Sequence, residues 1–445
     1  MTHRNEASPV SEPSGVGPFP WNYFAGFRKD ANLPGEMLDA LKFECDMKMS
    51  YYGSHFRAPY DTHHGWIGHS KSQAAFILRS LRAILRRPPP DARSLILSNA
   101  YFSTGLELEK LGYRVQPVPW EVCDDPSFLP TAVRIRHALR YRTILELCST
   151  AFVPVYRKAR EALRTYLDRH DVRAVVMPSD TGFFESLATQ AMRERGCPSF
   201  IFLHGLPGRY NRIDDGATDH ILVWGERIRR HYLDAGVAPE RVLVTGHPAY
   251  QVLPENIGRR WGFEDVLVLS KAMNGAQNRR ETLLTDRGNL LTYVLGIQRV
   301  LGRLGIGRFR VRLHPSENPD WYRRELRSTP IEIDGLPLSE SLQRSSLVIG
   351  PTSTVFLETL INGGQYLIFE PAWCGFDMMN NRMVPPFDGS DPRVPVASDE
   401  AALEAALRQG RRIDADILHE YIRTPFDFGV VRDRIEQARL SEKRS

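Results

Sequence analysis

What most constrains this chain is a repeated rhythm of short apolar run, polar turn, amphipathic helix closed by Gly, and second apolar run. Its clearest copy covers residues 173–205. Arg173 to Met177 reads as a strand, Pro178-Ser179-Asp180-Thr181 as a turn, Phe183 to Arg195 as a helix capped by Gly196, and Ser199 to Leu203 as a strand ending in His204-Gly205. Parallel strands need a long crossover, which the intervening helix supplies, so such units stack into a helix-covered parallel sheet.

The rhythm occurs on both sides of this copy. Upstream, Ser94 to Leu97, Thr104 to Leu111 with Gly112, and Tyr113 to Val118 form a strand–helix–strand unit. Downstream, His220 to Trp224, Glu226 to Ala235 and Val242 to Thr245 form another, which runs into Gly246-His247-Pro248. Residues 251–264, with Pro254, Gly258 and Gly262, break the periodicity and read as a linker. A second series then opens. Its expected strands are Val266 to Leu269, Phe309 to Leu313, Ile331 to Ile333, Leu347 to Ile349 and Gln365 to Phe369, with helices at Leu290 to Leu304, Leu338 to Gln343 and Ser353 to Ile361.

The fold class is therefore α/β, with two Rossmann-like doubly wound domains facing a central cleft. The expected division is a polar, Pro- and Ser-rich disordered N-terminus over 1–20, an N-terminal α/β domain over 21–250, the linker, and a C-terminal α/β domain over 265–412. A helical segment over 413–445 is expected to pack back toward the first domain. Residues 21–69 read as aromatic-rich and irregular, and residues 134–170 as a long helical region interrupted at Pro154. At 445 residues, two or three compact units are expected.

Charge and cysteine usage exclude several classes. A net charge of +5 with scattered arginines is too diffuse for DNA and suits anionic small molecules or an anionic membrane surface. Five widely spaced cysteines form no CxxC pair, which fits a reducing cytoplasm and implies neither a disulfide framework nor a zinc ribbon. The apolar runs are strand-sized, far below the ~20 residues of a bilayer span, and the N-terminus has no signal-peptide core, so any contact with the inner membrane is expected to be peripheral. No P-loop or GxGxxG fingerprint supports ATP or NAD chemistry, and no residues show metal-ligand spacing.

Candidate chemistry gathers at strand ends, where open α/β sheets bind ligands. In the second series, Arg310 to Leu313 empties into His314-Pro315, and Leu347 to Ile349 into Gly350-Pro351-Thr352-Ser353-Thr354, which opens a helix carrying Glu358. An imidazole, hydroxyls and free helix N-terminal N–H groups are equipment for holding a phosphate. In the first series Asp180 and His204 occupy the matching positions. Each has a plainer reading: Asp180 as a helix N-cap, His204 as a hydrogen-bonded turn residue, and the Pro after His314 as a strand stop.

The run from Pro178 to Pro248 resembles bacterial surface-polysaccharide glycosyltransferases of the GT-B arrangement and the related UDP-N-acetylglucosamine 2-epimerases. His314-Pro315 with Ser353-Thr354 resembles the His-Pro and Ser-Ser/Thr motifs of the bacterial sialyltransferases and β-Kdo transferases, which use CMP-sugars. The resemblance covers residues 170 to 370. It implies sugar transfer from a nucleotide-activated donor, of CMP-Kdo or CMP-sialic-acid type or else a UDP-sugar, to a glycan or glycolipid acceptor of a capsule, lipopolysaccharide or other surface polysaccharide. No cofactor is implied, because the nucleotide-sugar is a substrate. It further implies Asp180 as general base, His204 steadying the sugar or leaving phosphate, and His314, Thr352, Ser353 and Thr354 at the donor phosphate. Glu358 would bind ribose hydroxyls, and Arg312 and Lys271 would neutralise charge. An epimerase and a non-catalytic member of a glycan assembly remain the alternatives.

Overall fold

The computed structural model describes residues 32–53, 66–86, 93–99, 104–207, 218–270, 284–314, 317, 319–329, 331–371 and 383–442. Two six-stranded parallel sheets organise them. The first contains β1 (Leu95–Ser98), β2 (Arg114–Gln116), β3 (Val172–Met177), β4 (Ser199–Phe202), β5 (His220–Val223) and β6 (Val242–Val244), in the order β2-β1-β3-β4-β5-β6. The second contains β7 (Val266–Leu269), β8 (Phe309–Arg312), β9 (Ile331–Ile333), β10 (Leu347–Gly350), β11 (Gln365–Phe369) and β12 (Val396–Ala397), in the order β12-β11-β10-β7-β8-β9. Every pairing is parallel, and both sheets are doubly wound in the GT-B arrangement.

The winding direction reverses between β1 and β3 in the first sheet and between β7 and β10 in the second. At such a reversal, neighbouring crossovers leave in opposite directions and open a crevice at the carboxyl ends of the strands. Most strands are buried along their length, as continuous apolar runs demand of a sheet covered on both faces. One apolar core covers the first sheet's face beneath the helices Gly35–Gly53, Leu129–Tyr141, Val153–Arg169 and Phe183–Glu194. Another lies beneath Leu284–Arg303 and Glu400–Arg408. A third is continuous from Phe200 and Trp224 in the first half through Tyr421 and Phe428 to Phe356 and Tyr366 in the second.

Three elements differ from the sequence reading. Residues 35–53, read as irregular, are helical, because Met37, Leu38, Leu41 and Cys45 recur at helical spacing and are all fully buried. Pro154 does not interrupt a helix but begins one, Val153–Arg169; its missing N–H falls in the first turn, where no intrahelical acceptor exists, and the break lies upstream. The expected helix Ser353 to Ile361 is shorter, Val355–Ile361. The N-terminal stretch expected to be disordered, Lys271 and Pro315 lie outside the described residues.

The chain crosses between the halves twice. On the first crossing, the Gly258 and Arg260 N–H groups donate to the carbonyls of Leu360 and Gly363. On the second, residues 413–442 return over the first sheet: Arg423 N–H donates to Trp224 O at 2.7 Å and Asp427 N–H to Thr245 O at 2.8 Å. Gly246, at φ +82°, sits where a Cβ would meet the Arg423 carbonyl, so this seam admits no side chain. Arg227 crosses the same seam, reaching Glu420 and Asp391 at 3.0 Å each. Among the described residues, no helix is long and apolar enough to cross a membrane.

Candidate active site

The second sheet is braced from within by a buried guanidinium on β8, whose partners Asp265 and Ser345 precede β7 and β10. Arg310, 4% exposed, donates to Asp265 at 2.8 Å, to Asp334 at 2.6 Å and to the Ser345 hydroxyl at 2.9 Å. Arg312, two residues on, donates to the other Asp334 oxygen at 2.8 Å and to Leu336 O at 2.7 Å. Burial alone would raise the Asp334 carboxyl, yet hydrogen bonds from Ser341 and the two arginines hold it below the usual range. The charge of Arg312, assigned by resemblance to the donor phosphate, is thus shared with an internal carboxylate, and its field also reaches Glu358.

From this base β8 delivers His314 to the cleft in a turn the sequence reading missed. Glu317 accepts from the His314 N–H at 2.7 Å, from the Tyr322 hydroxyl at 2.7 Å and from the Ser270 hydroxyl at the end of β7. Ser270 Oγ in turn accepts from the His314 N–H at 2.9 Å. The tips of the neighbouring strands β7 and β8 are therefore tied by one carboxylate. Burial pushes the Glu317 carboxyl up in spite of those bonds. The His314 side chain is exposed by area, but the atoms packed around the ring hold its pKa below the ordinary 6.5, so at neutral pH it presents a neutral imidazole. A pattern did exist for Glu317: it stands three residues after His314, the reach of a carboxylate folding back on a turn N–H.

Across the crevice, the turn after β10 supplies hydroxyls and a few N–H groups. Gly350 lets this turn approach the sheet; a Cβ there would collide with the Tyr366 hydroxyl, which donates to Pro351 O at 2.5 Å. The Glu370 carboxylate accepts from Thr352 N–H at 2.7 Å, Ser353 Oγ from Val355 N–H at 3.3 Å, and the Ser353 and Thr354 carbonyls from Phe356 and Leu357. Among the described residues this leaves the N–H groups of Ser353 and Thr354 without a partner, fewer than the sequence reading expected. The Thr352 hydroxyl likewise has no partner among them and is buried. Thr354 Oγ1 accepts from Leu206 N–H at 3.0 Å, so the residue expected at the phosphate also joins the two halves. Glu358 is half-buried, and its carboxyl is pushed up by burial. Its charge reaches Tyr250, whose phenol is raised by burial and by Glu358.

The first-half strand ends are acidic. Asp180 is buried and accepts from Thr218 N–H at 2.9 Å. It is not the helix cap: the helix Phe183–Glu194 has Gly182 at its N-cap, with no side-chain cap bond. Glu185 accepts from the Trp120 indole N–H at 2.8 Å. Its carboxyl is raised by burial and, to a lesser degree, by the charges of Glu121 and Asp180, so the three carboxylates lie within electrostatic reach, with the Arg136 guanidinium also within reach of Glu121 and Glu185. Trp120 stacks on Phe184 with the rings 6° from parallel and 5.9 Å apart, forming an aromatic wall beside the cluster.

His204 Nδ1 lies 3.1 Å from Pro178 O, which can only accept, so Nδ1 carries a proton and the ring is oriented by that bond. His204 and Thr354 meet through Gly205 and Leu206, which places the acidic and donor-rich ends on one cleft. Among the described residues no group of three or more His, Cys, Asp or Glu is arranged to hold a metal.

No protein-family model matches this chain, and neither does any curated protein. Among solved structures it is similar to the UDP-GlcNAc 2-epimerase of Neisseria meningitidis bound to UDP-GlcNAc, at 14% identity and a TM-score of 0.42 over 78% of this chain and 99% of that one. It is similar to Acinetobacter baumannii MurG at 11% identity and a TM-score of 0.44, over 78% and 99%. A lipopolysaccharide outer core galactosyltransferase, WaaB, gives 12% identity and a TM-score of 0.41, over 78% and 99%.

Proposed function

We propose that this chain is a glycosyltransferase that moves a sugar from a nucleotide-activated donor onto a glycan or glycolipid acceptor. The reading rests on one observation: the Leu206 N–H to Thr354 Oγ1 bond at 3.0 Å, which sets an acidic strand-end cluster against a hydroxyl- and N–H-rich one in a single cleft. Residues 21–250 are taken as the acceptor-side domain, 265–412 as the donor domain and 413–445 as the returning segment.

In this reading the donor phosphate is held by the neutral imidazole of His314, the hydroxyls of Thr352 and Ser353, and the N–H groups of Ser353 and Thr354. Thr354 Oγ1 remains with Leu206, and Glu358 faces the ribose. Lys271 and Pro315 keep only what the resemblance implies for them, charge neutralisation and membership of the His-Pro motif. Arg312 acts through Asp334 and the local field rather than as a direct ligand. The acceptor hydroxyl attacks the anomeric carbon as the bond to the nucleotide oxygen breaks, so the electron pair leaves with the phosphate. Asp180 takes the acceptor proton, with Glu185 beside it, and the configuration inverts. His204 steadies the sugar or the leaving phosphate. The protein contributes position and preset dipoles, and no covalent intermediate is required.

A CMP-activated acidic sugar is the donor class that the His-Pro and Ser-Thr motifs favour, with a UDP-sugar as the other arm of the test. A thermal-shift panel of CMP, CDP, UDP and GDP identifies the base, because a ligand bound only by the native state raises Tm. No shift with any of them overturns the reading. So does inversion at C2, seen by NMR, when UDP-N-acetylglucosamine is supplied without acceptor. Asp180→Asn should abolish transfer while keeping the nucleotide shift. If Glu185→Gln does so and Asp180→Asn does not, the base is Glu185.

A further inference from the structure

The helix Trp66–Leu85 carries two apolar faces, and the fold uses one. Phe76 and Ser80 are fully buried, and Gln73, Ile77 and Ile84 half-buried, against the first-half core. On the opposite side Ala74, Leu78, Leu81 and Leu85 are exposed at spacings of four, three and four, one above another on a helix surface. Leu78, Leu81 and Leu85 keep 56%, 44% and 85% of their surface. Scattered exposed leucines are ordinary on a protein; three in a row along one helical stripe are not.

The flank of that stripe is cationic. Lys71, Arg82 and Arg86 are all exposed and lie along one edge of it, with Arg79 further round. The helix holds no acidic residue, and neither does its neighbour Leu129–Tyr141, which adds an exposed Arg134. Between the two helices runs an apolar groove lined by Ala74, Ile77, Pro130, Val133 and Tyr141. An outward row of leucines edged by Lys and Arg, with acid excluded, suits one kind of surface: acyl chains under anionic headgroups. A second copy of the chain fits less well, because antiparallel pairing of the stripe on itself sets Lys71 against Arg86 with nothing acidic to offset them.

We propose that this helix is a membrane-docking element that lies flat on an anionic bilayer, with Leu78, Leu81 and Leu85 at the acyl boundary and Lys71, Arg82 and Arg86 on the lipid phosphates. The proposal is independent of the cleft chemistry and would bring the acceptor-side half to a surface where glycolipids reside.

Co-sedimentation of the full chain tests it, using phosphatidylcholine vesicles with and without phosphatidylglycerol. The chain should pellet with the anionic vesicles and not the neutral ones, and rising salt should release it, with inorganic phosphate no more effective than chloride at equal ionic strength. Leu81→Gln with Leu85→Gln should weaken binding by about tenfold or more, and Lys71→Gln or Arg82→Gln by about fivefold each. All these side chains are exposed, so Tm and any nucleotide-induced shift should stay as in the wild type; loss of nucleotide binding in the wild type would sink the transferase reading and leave this one standing. Equal binding to both vesicle types, binding to neither, variants that bind as tightly as the wild type, or a dimer in light scattering that the Leu variants dissociate would each overturn it.

Discussion

The strand ends of the first sheet carry the carboxylates Asp180, Glu185 and Glu121, with Arg136 within reach of the last two; burial raises Glu185 and Glu121, and the charges of Glu121 and Asp180 raise Glu185 further. At those of the second sheet the carboxylates Glu317 and Glu370 point their oxygens inward to fix turns, and hydroxyls, an imidazole and N–H groups are left toward the cleft. One side accepts protons and the other donates hydrogen bonds. The same winding topology thus carries opposite electrostatics, set by two or three residues after each strand. The sheet decides where a site sits, and the turns decide what it holds.

Four measurements would break or sharpen that contrast. The largest effect is expected at Arg310, because Arg310→Met removes the buried cation shared by Asp265 and Asp334 and leaves them only Arg344 and Arg312. Removing one partner of such a pair costs about 3–5 kcal/mol, and urea unfolding should show it as a lowered midpoint. Next is mild acid. Burial holds His231 and His247 in the first half at about 4, well below the ordinary 6.5. Their pKa is depressed on folding, so the stability they contribute is full above about 6.5 and is lost as pH falls toward 4, because the unfolded chain takes up protons first. By about pH 5 the loss should be about 4 kcal/mol for the two together. The raised carboxyls Glu185, Glu317 and Glu358 act in the opposite direction. A His231→Phe chain isolates the histidine part: its stability should fall less between pH 7 and 5 than that of the wild type, and equal slopes would refute the assignment.

Third is the phosphate grip itself. His314→Ala should weaken nucleotide binding by about 1.5–3 kcal/mol, the range of a hydrogen bond to a charged group. Glu317→Gln should lower affinity in the same direction through the turn it holds, and calorimetry that finds either variant at wild-type affinity removes that residue from the site. The smallest effect is at the contact between the halves: Thr354→Val removes the acceptor for Leu206 N–H and should cost about 1 kcal/mol. Faster hydrogen exchange at Leu206 is the readout, and unchanged exchange would mean that the contact is not persistent.

Much of the fold was legible because periodicity of apolar residues is a local signal. Eleven of the twelve strands stand where the apolar runs put them; the twelfth, Val396–Ala397, is two residues long and carries no period at all. The helix Gly35–Gly53 escaped because Phe43, exposed, and the neighbouring aromatics blur its stripe. The site was legible only as positions. That His314 and Ser353 end strands is written in the sequence; that Arg312 is spoken for by Asp334, or that Thr354 reaches Leu206, depends on contacts 22 and 148 residues apart. Asp180 shows the limit most sharply, since its place after a strand suggested a cap, and its partner, Thr218 N–H, lies two strands away across the sheet.

The return of residues 413–442 over the first sheet has a consequence for synthesis on the ribosome. Trp224 O and Thr245 O, at the ends of β5 and of the strand beside it, receive their donors from Arg423 and Asp427, and Phe202 packs on Phe428. Until those residues emerge, the first half has an unsealed apolar seam, although its six strands were made some 180 residues earlier. The first half to be translated is therefore the last to close, and a nascent chain stalled before residue 413 would present that seam to chaperones.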